Sequence, residues 1–244
     1  MSSGSSSFQR AHHSEQKEMR RQSILDAASR RLEQDPLPEI SIASVASEAG
    51  LAKGSVYRYF ATREEIFLSL LQGELGRWLD ALDAWLGVLS EPQPARVVAS
   101  HMVESLRHEE TLLRLLARHS LQLEENLSEK AALEFKRWLL GRVGRSGVLL
   151  ERALGVGDVG LTRAASEGQV GARQLLRFSA LCAGLWPMAN PTGAVARVLT
   201  MEEMAPVRVD FCEELLVCAE ALFVSAQEGA RVAKNTNTSF PWSI

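Results

Sequence analysis

The chain has little with which to carry out redox, metal or hydrolytic chemistry. Its 244 residues hold three cysteines, Cys182, Cys212 and Cys218, an odd number with no CxxC spacing. That argues against a disulfide framework and a zinc site, and reads as reduced thiols among apolar helical neighbours. The five histidines are scattered, with no HExxH pair and no Cys/His cluster. No Ser-His-Asp elbow and no Walker-type phosphate loop occurs. Neither catalytic residues nor a metal nor a cofactor is therefore expected. Period-two alternation of Val, Ile, Thr and aromatics is sparse, which excludes a sheet-rich fold. An excess of positive charge is missing as well. The formal net charge is −3, and residues 1–65 carry nine basic and nine acidic side chains. Any nucleic-acid binding must come from where charges sit, with Arg20, Arg21, Lys53, Arg58 and Arg63 gathered on one face.

A secretory leader is also lacking. Met1 to Ser7 is nearly all serine and glycine, without an apolar segment, and reads as a disordered tail. One uncharged run, Phe178 to Ala196, is long enough to suggest a membrane span. Pro187, Asn190, Pro191, Thr192 and Gly193 break its second half, so a buried helix ending near Ala189 is the expectation. No membrane segment and a cytoplasmic setting follow. Hydrophobic residues make up 46% of the chain, enough for a proper core, and helix formers dominate. The expected fold class is all-α.

Punctuation places the helices. Ser14 reads as the N-cap of a first helix running to about Gln34, with Ile24, Ala27, Ala28 and Leu32 as its apolar stripe. Asp35-Pro36-Leu37-Pro38 ends it. Ser41 can cap a second helix, and Thr62 with Glu65 gives a capping-box signature for a long helix to about Leu89. Its stripe runs through Leu71, Leu75, Trp78, Leu82, Trp85 and Leu86. After the break at Glu91-Pro92-Gln93-Pro94, helices are expected at roughly 95–107, 110–125 and 128–153. Gly141, Gly144 and Gly147 in the last of these permit either close helix approach or a kink. Gly155 to Gly160 reads as a loop. Further helices span about 172–189, 194–200 and 209–233. Ala172, Leu175, Ser179, Ala183 and Trp186 form one small-residue and apolar stripe; Leu215, Ala219, Leu222 and Ala226 form another.

The most informative stretch lies between Ile42 and Phe60. Ile42, Val45, Ala46 and Ala49 recur at the i, i+3, i+4, i+7 spacing of a buried helix face. Gly50 follows, where the chain must leave the helix in a left-handed conformation that costs glycine little. Leu51 and Val56 can anchor the next short helix from below. Lys53, Ser55, Tyr57, Arg58 and Tyr59 are donors of the kind that phosphates and base edges require. Phe60 is expected in the core.

This helix, glycine turn and helix resembles the DNA-binding domain of the TetR family of bacterial transcriptional regulators. The resemblance covers about Arg21 to Leu70. It is carried by Ile24-Leu25-Asp26-Ala27-Ala28, by Ser41, by Ala46 through Gly50, by Tyr57-Arg58-Tyr59-Phe60 and by Arg63-Glu64-Glu65-Ile66. Two positions depart from the family pattern. Ala52 stands where serine or threonine usually caps the recognition helix, and Arg63 stands where lysine is usual. The first leaves a backbone N–H without its side-chain partner, at a typical cost of about 1 kcal/mol. The second turns a point donor into a planar fork.

The resemblance implies a helix-turn-helix DNA-binding domain over residues 14–61 and a helical ligand-sensing and dimerisation domain over 62–233. Residues 1–13 and 234–244 would be tails. Lys53, Gly54, Ser55, Tyr57, Arg58 and Tyr59 fall on the recognition helix, with Arg58 toward guanine. Ser41, Ser44, Tyr57 and Arg63 fall near phosphates. A homodimer would read a palindromic operator on double-stranded DNA, with half-sites one helical turn, roughly 34–36 Å, or multiples of it apart. The last two long helices would pair with a second subunit. A small apolar effector would sit against Trp78, Trp85, Met102, Leu116, His119, Phe135, Trp138, Phe178, Cys182 and Trp186. Effector binding would favour a dimer with wrongly spaced recognition helices; a coupling of about 1–3 kcal/mol lowers DNA affinity about 5- to 150-fold. Two rival readings differ in class. A helical interaction module or ligand-binding protein that has lost operator binding is compatible with Ala52 and a neutral head. An enzyme with a helix-turn-helix head needs a nucleophile–base pair or a metal site, and the second half offers neither.

Overall fold

Glycine and proline divide the chain into ten α-helices among the described residues, and no strand occurs there. The structure, a computed structural model, describes residues 4–35, 37–118, 127–156 and 168–237. Two units can be distinguished, one of residues 1–73 and 119–133, the other of 74–118 and 134–244.

In the first unit α1 (Gly4–Gln34) buries Ile24, Ala27, Ala28 and Leu32. Ser14 does not cap it, because the helix begins at Gly4, ten residues earlier. No glycine or proline stands between Ser5 and Gln34 to stop a helix. A cap contributes only about 1 kcal/mol, too little to fix a start inside such a run. A 3-10 turn (Leu37–Glu39) leads to α2 (Ile42–Glu48). Ser41 caps α2 as expected, and it does so reciprocally. The Ser44 amide donates to the Ser41 hydroxyl at 3.1 Å and the Ser41 amide donates to the Ser44 hydroxyl at 3.0 Å. The recognition segment contains α3 (Lys53–Val56). At α4 (Arg63–Gly87) the Glu65 amide donates to the Thr62 hydroxyl at 3.1 Å, while the Glu65 carboxylate accepts the Ala61 amide at 2.9 Å. The capping box thus closes one residue earlier than the sequence spacing implies.

The second unit takes the rest of α4, then α5 (Ala95–Glu104), α6 (Glu110–Arg118), most of α7 (Glu129–Leu154), α8 (Gln169–Ala189), α9 (Gly193–Leu199) and α10 (Phe211–Asn237). The expected end of the 110–125 helix, His119, most of the Gly155–Gly160 loop and the last residues of the tail lie outside the described residues. α10 packs on α5 and α8, and α6 packs on α8. A 3-10 segment, Glu202–Val207, between α9 and α10 had no signature in the sequence. α8 ends at Ala189, where the Asn190 amide still donates to the Trp186 carbonyl at 2.9 Å. No described helix is long and apolar enough to cross a membrane.

Gly147 resolves the question raised by its glycine triplet. A Cβ there would stand 2.5 Å from the Ala172 amide nitrogen and 2.6 Å from the Gly168 carbonyl oxygen, so α7 and α8 approach backbone to backbone. Gly171 meets the same crossing from the other side. Gly141 and Gly144 have open space where a Cβ would go, and no role in the contact through a missing side chain.

Candidate nucleic-acid interface and effector core

The turn before α3 is built as its sequence implies. Gly50 has φ +67°, and the Leu51 amide donates back to the Ala46 carbonyl at 2.8 Å. This is the hydrogen bond of a glycine-terminated helix that reverses sharply. Val56 is fully buried and Phe60 nearly so, and each such side chain contributes about 1.5–3 kcal/mol of burial. The opposite side of the segment is open: Ala52, Lys53, Gly54, Tyr57 and Arg58 are exposed, and Ser55 and Tyr59 are half-buried. Lys53 Nζ lies 5.9 Å from the Tyr57 ring centre, and Arg58 donates to the Ser55 hydroxyl at 3.3 Å. Two pairs of donors, Lys53 with Tyr57 and Arg58 with Ser55, are thereby held on one short helix and the turn that follows. No side chain caps α3 at Ala52.

Arg63 has a different place from the one its sequence position suggested. Its Nη1 donates to the Pro38 and Ile40 carbonyls at 3.2 and 3.3 Å, and its Nε and Nη2 donate to Glu64 at 3.1 and 2.8 Å. The guanidinium is occupied in holding the turn before α2, where a lysine could not make all these bonds. Ser41 and Ser44 use their hydroxyls in the α2 cap, with Ser41 exposed and Ser44 half-buried. Arg21, expected only as part of a basic face, lies with its guanidinium over the Phe60 ring at 5.2 Å, and sequence reasoning missed this contact and the 2.8 Å ion pair of Arg30 with Glu48. Both join segments distant along the chain, which periodicity does not register.

In the second unit the proposed pocket walls part company. Met102, Phe178 and Cys182 are buried at 2% exposure or less, and Phe135 and Trp78 are buried too. Trp78 stacks on Phe178 at 6.1 Å between ring centres, and Phe178 on Phe223 at 6.5 Å. The Trp78 indole N–H donates to the Ser105 hydroxyl at 2.9 Å, so its polar atom is satisfied. These residues form packed core. Phe135 stacks on Trp138 at 5.8 Å, and Trp85 lies against His101 at 3.7 Å. Trp85, Trp138, Leu116 and Trp186 are half-exposed, and His119 is not described. Burial lowers the His101 pKa below its ordinary value. Trp186 packs edge-on against Phe211 and lines an open pocket of about 390 Å³ with Leu106, Arg107, His108, Ala189, Asn190, Val209, Asp210 and Cys212. That pocket gathers three helix ends, a grouping invisible to spacing arguments.

The two stripes expected to face a second subunit turn partly inward. Leu175, Leu215 and Ala219 are buried, because they pack α8 and α10 within the unit. The large apolar side chains left exposed on these helices are Val170, Leu176, Met188, Val217, Val224 and Val232.

The comparisons with known proteins decide the family. A profile of "Bacterial regulatory proteins, tetR family" matches residues 24–70, and one of "Tetracyclin repressor-like, C-terminal domain" matches residues 72–224. The chain belongs to the TetR family. Among curated proteins, the fatty acid metabolism regulator protein of Bacillus subtilis is 28% identical over 68 residues. That stretch is 28% of this chain and 35% of the relative, so the match spans about a third of that protein. The crystal structure of the transcriptional regulator FadR from Bacillus subtilis in complex with stearoyl-CoA is similar at TM-score 0.52 and 16% identity, covering 84% of this chain and 98% of that one. A fatty acid degradation regulator FadR from Bacillus halodurans is similar at TM-score 0.48 and 18% identity, covering 80% and 97%. The first of these two likenesses places the chain in the TetR fold.

Proposed function

We propose that the chain is a homodimeric transcriptional repressor that binds a palindromic operator and is released from it by a small, largely apolar molecule. The observation that carries this reading is the donor row of exposed Lys53, Tyr57 and Arg58 with half-buried Ser55, backed by buried Val56 and Phe60 on the Gly50 turn. Residues 14–61 would form the operator reader and 62–233 the sensing and pairing domain. Lys53, Gly54, Tyr57, Arg58 and Tyr59 would meet the groove, with Gly54 permitting close backbone approach. Ser41 and Ser44 would lie near phosphates, and Arg63 would act mainly by fixing the turn that presents them. Val217, Val224 and Leu176 would be covered by the second subunit. The chain binds rather than catalyses on this reading, and it works in the cytoplasm beside its DNA.

The Bacillus subtilis FadR complex holds stearoyl-CoA, a long acyl chain with a polar head. It supports a bulky effector on this fold. In the present chain the half-exposed Trp85, Trp138 and Trp186 are the best apolar walls.

The test is a gel shift on the inverted repeat upstream of the chain's own operon. Lys53→Ala and Tyr57→Ala should each abolish the shift while the helical circular-dichroism signal stays unchanged. Salt should weaken wild-type binding steeply, as counterion release requires. Undiminished binding by both variants would remove the assignment of the site.

A further inference from the structure

Between α8 and α10 the chain leaves the second unit and returns to the same place. Asn190 at the start of this excursion and Val209 and Asp210 at its end line one pocket. Within it α9 packs mainly on the 3-10 segment that follows, and Arg208 fastens that arrangement by donating to the Leu199, Thr200 and Met201 carbonyls. No side chain from Gly193 to Val207 is buried. Yet Val195, Val198, Met201 and Val207 are large, apolar and 58%, 42%, 52% and 61% exposed.

An ordered segment recovers its lost conformational entropy by burying surface, and this one buries little on its own subunit. Single exposed apolar residues are ordinary; four on one short excursion, rimmed by charge, mark a contact surface. The charges say what kind. Arg197, Glu202 and Glu203 are exposed, and none has an ion partner among the described residues. A patch with unpaired charges of both signs beside apolar side chains is complementary to itself. In a two-fold contact residue i of one copy meets j of the other and j meets i, so each arginine finds a glutamate. The helices at either end of the arm also turn small and apolar residues outward. Leu176, Ala180 and Gly184 stand exposed in a row along α8, and Val217, Ala221 and Val224 do so along α10.

We propose that the arm is a clasp between two copies of this chain. The Val195, Val198, Met201 and Val207 side chains of one subunit pack against those of the second. Arg197 of each copy pairs with Glu202 or Glu203 of the other at the rim, which stays open to solvent as interface rims do. The inference rests on the reading that the chain is a homodimer, and it extends the pairing surface from α8 and α10 to the segment that joins them. Burial on the second copy supplies what the arm lacks in its own subunit.

The test follows dissociation of the full-length protein by sedimentation of a fluorescently labelled chain at falling concentration. Circular dichroism checks that helix content is unchanged, as expected for substitutions at exposed positions. Val195→Glu combined with Val198→Glu should raise the dimer dissociation constant about hundredfold, because charge then enters an apolar contact from both sides. Arg197→Glu makes one arm wholly acidic, and Glu202→Arg with Glu203→Arg makes another wholly basic. Each of these two variants alone should dimerise about tenfold more weakly than wild type, and their mixture should pair at least as tightly as wild type. An effect confined to one subunit cannot produce that preference for the mixed pair. A constant unchanged by the valine substitutions, or a mixture no tighter than its components, would overturn the clasp. If Val217→Glu with Val224→Glu still separates the subunits, the homodimer itself stands. A wild-type chain that remains monomeric at every concentration sinks both.

Discussion

The carboxylate of Glu151 holds the backbone of Gly171, accepting its amide at 3.0 Å from within the crossing of α7 and α8. The same carboxylate accepts the Gly168 amide at 2.9 Å and the Val170 amide at 2.7 Å, so it caps α8 from the neighbouring helix. It is 3% exposed. Glu151→Ala leaves three amides without their partner, and should lower stability by about 2–4 kcal/mol. Thermal unfolding followed by circular dichroism reads this directly. Gly171→Ala should be as damaging, because its Cβ would collide with the Gly147 carbonyl. Gly141→Ala, with open space around it, should instead be neutral or stabilising by up to about 1 kcal/mol.

The α3 cap offers a change in the opposite direction. Ala52 has φ −68° and ψ 142°, the extended backbone of an N-cap, yet no side chain to accept an amide. Ala52→Ser should raise stability by about 0.5–1 kcal/mol. Arg63→Lys should lower it by a similar amount, since one ammonium cannot reproduce the fork that reaches Pro38, Ile40 and Glu64. Denaturation midpoints in urea measure both.

Thiol labelling distinguishes the cysteines. Burial pushes the Cys182 thiol well above the usual range, and the residue is 1% exposed. It should resist a thiol reagent until denaturant unfolds the chain. Burial raises Cys212 as well, but that residue is half-exposed and should label slowly in the native protein. A native protein that labels at Cys182 as fast as at Cys212 contradicts the packing described for α8.

Acidification should weaken the fold through His101. Burial against Trp85 lowers its pKa, so the unfolded chain takes up this proton first as pH falls. The stability present above the ordinary histidine pKa of about 6.5 is lost as pH drops through that value toward the folded one. Glu74 moves oppositely. Chiefly through burial its pKa is raised, so the folded state gains that proton first and recovers some stability at lower pH, near the carboxylate range. Melting temperatures of wild type and His101→Gln between about pH 7.5 and about pH 5.5 should diverge, with the variant falling less.

Local features were the legible ones. The centre of the α2 stripe at Val45 and Ala46, the Gly50 reversal, the Ser41 cap and the stop at Ala189 each depend on neighbours within a few residues, and each is where the sequence put it, while Ile42 and Ala49 at the stripe's ends are only half-buried. Ser14 misled because a single cap signal competes with a long uninterrupted helical run. The pocket walls were less readable. Trp78, Phe178 and Cys182 carry the same apolar periodicity whether they line a cavity or fill a core, and only the packing of Phe178 between Trp78 and Phe223 separates the two. Leu175 and Leu215 sat on credible pairing stripes, yet a helix has more than one apolar face when it packs on several neighbours.

The arm between α8 and α10 follows a different principle from the rest of the second unit. From Gly193 to Val207 no residue is buried, and the segment is gripped by Arg208, which donates to the Leu199, Thr200 and Met201 carbonyls at 2.7, 3.1 and 2.8 Å. Its conformation is written in one guanidinium rather than in a core. Exposed Arg197 within it offers trypsin an accessible site, and a chain nicked there would keep its stacked aromatic interior while losing the continuity of this strap.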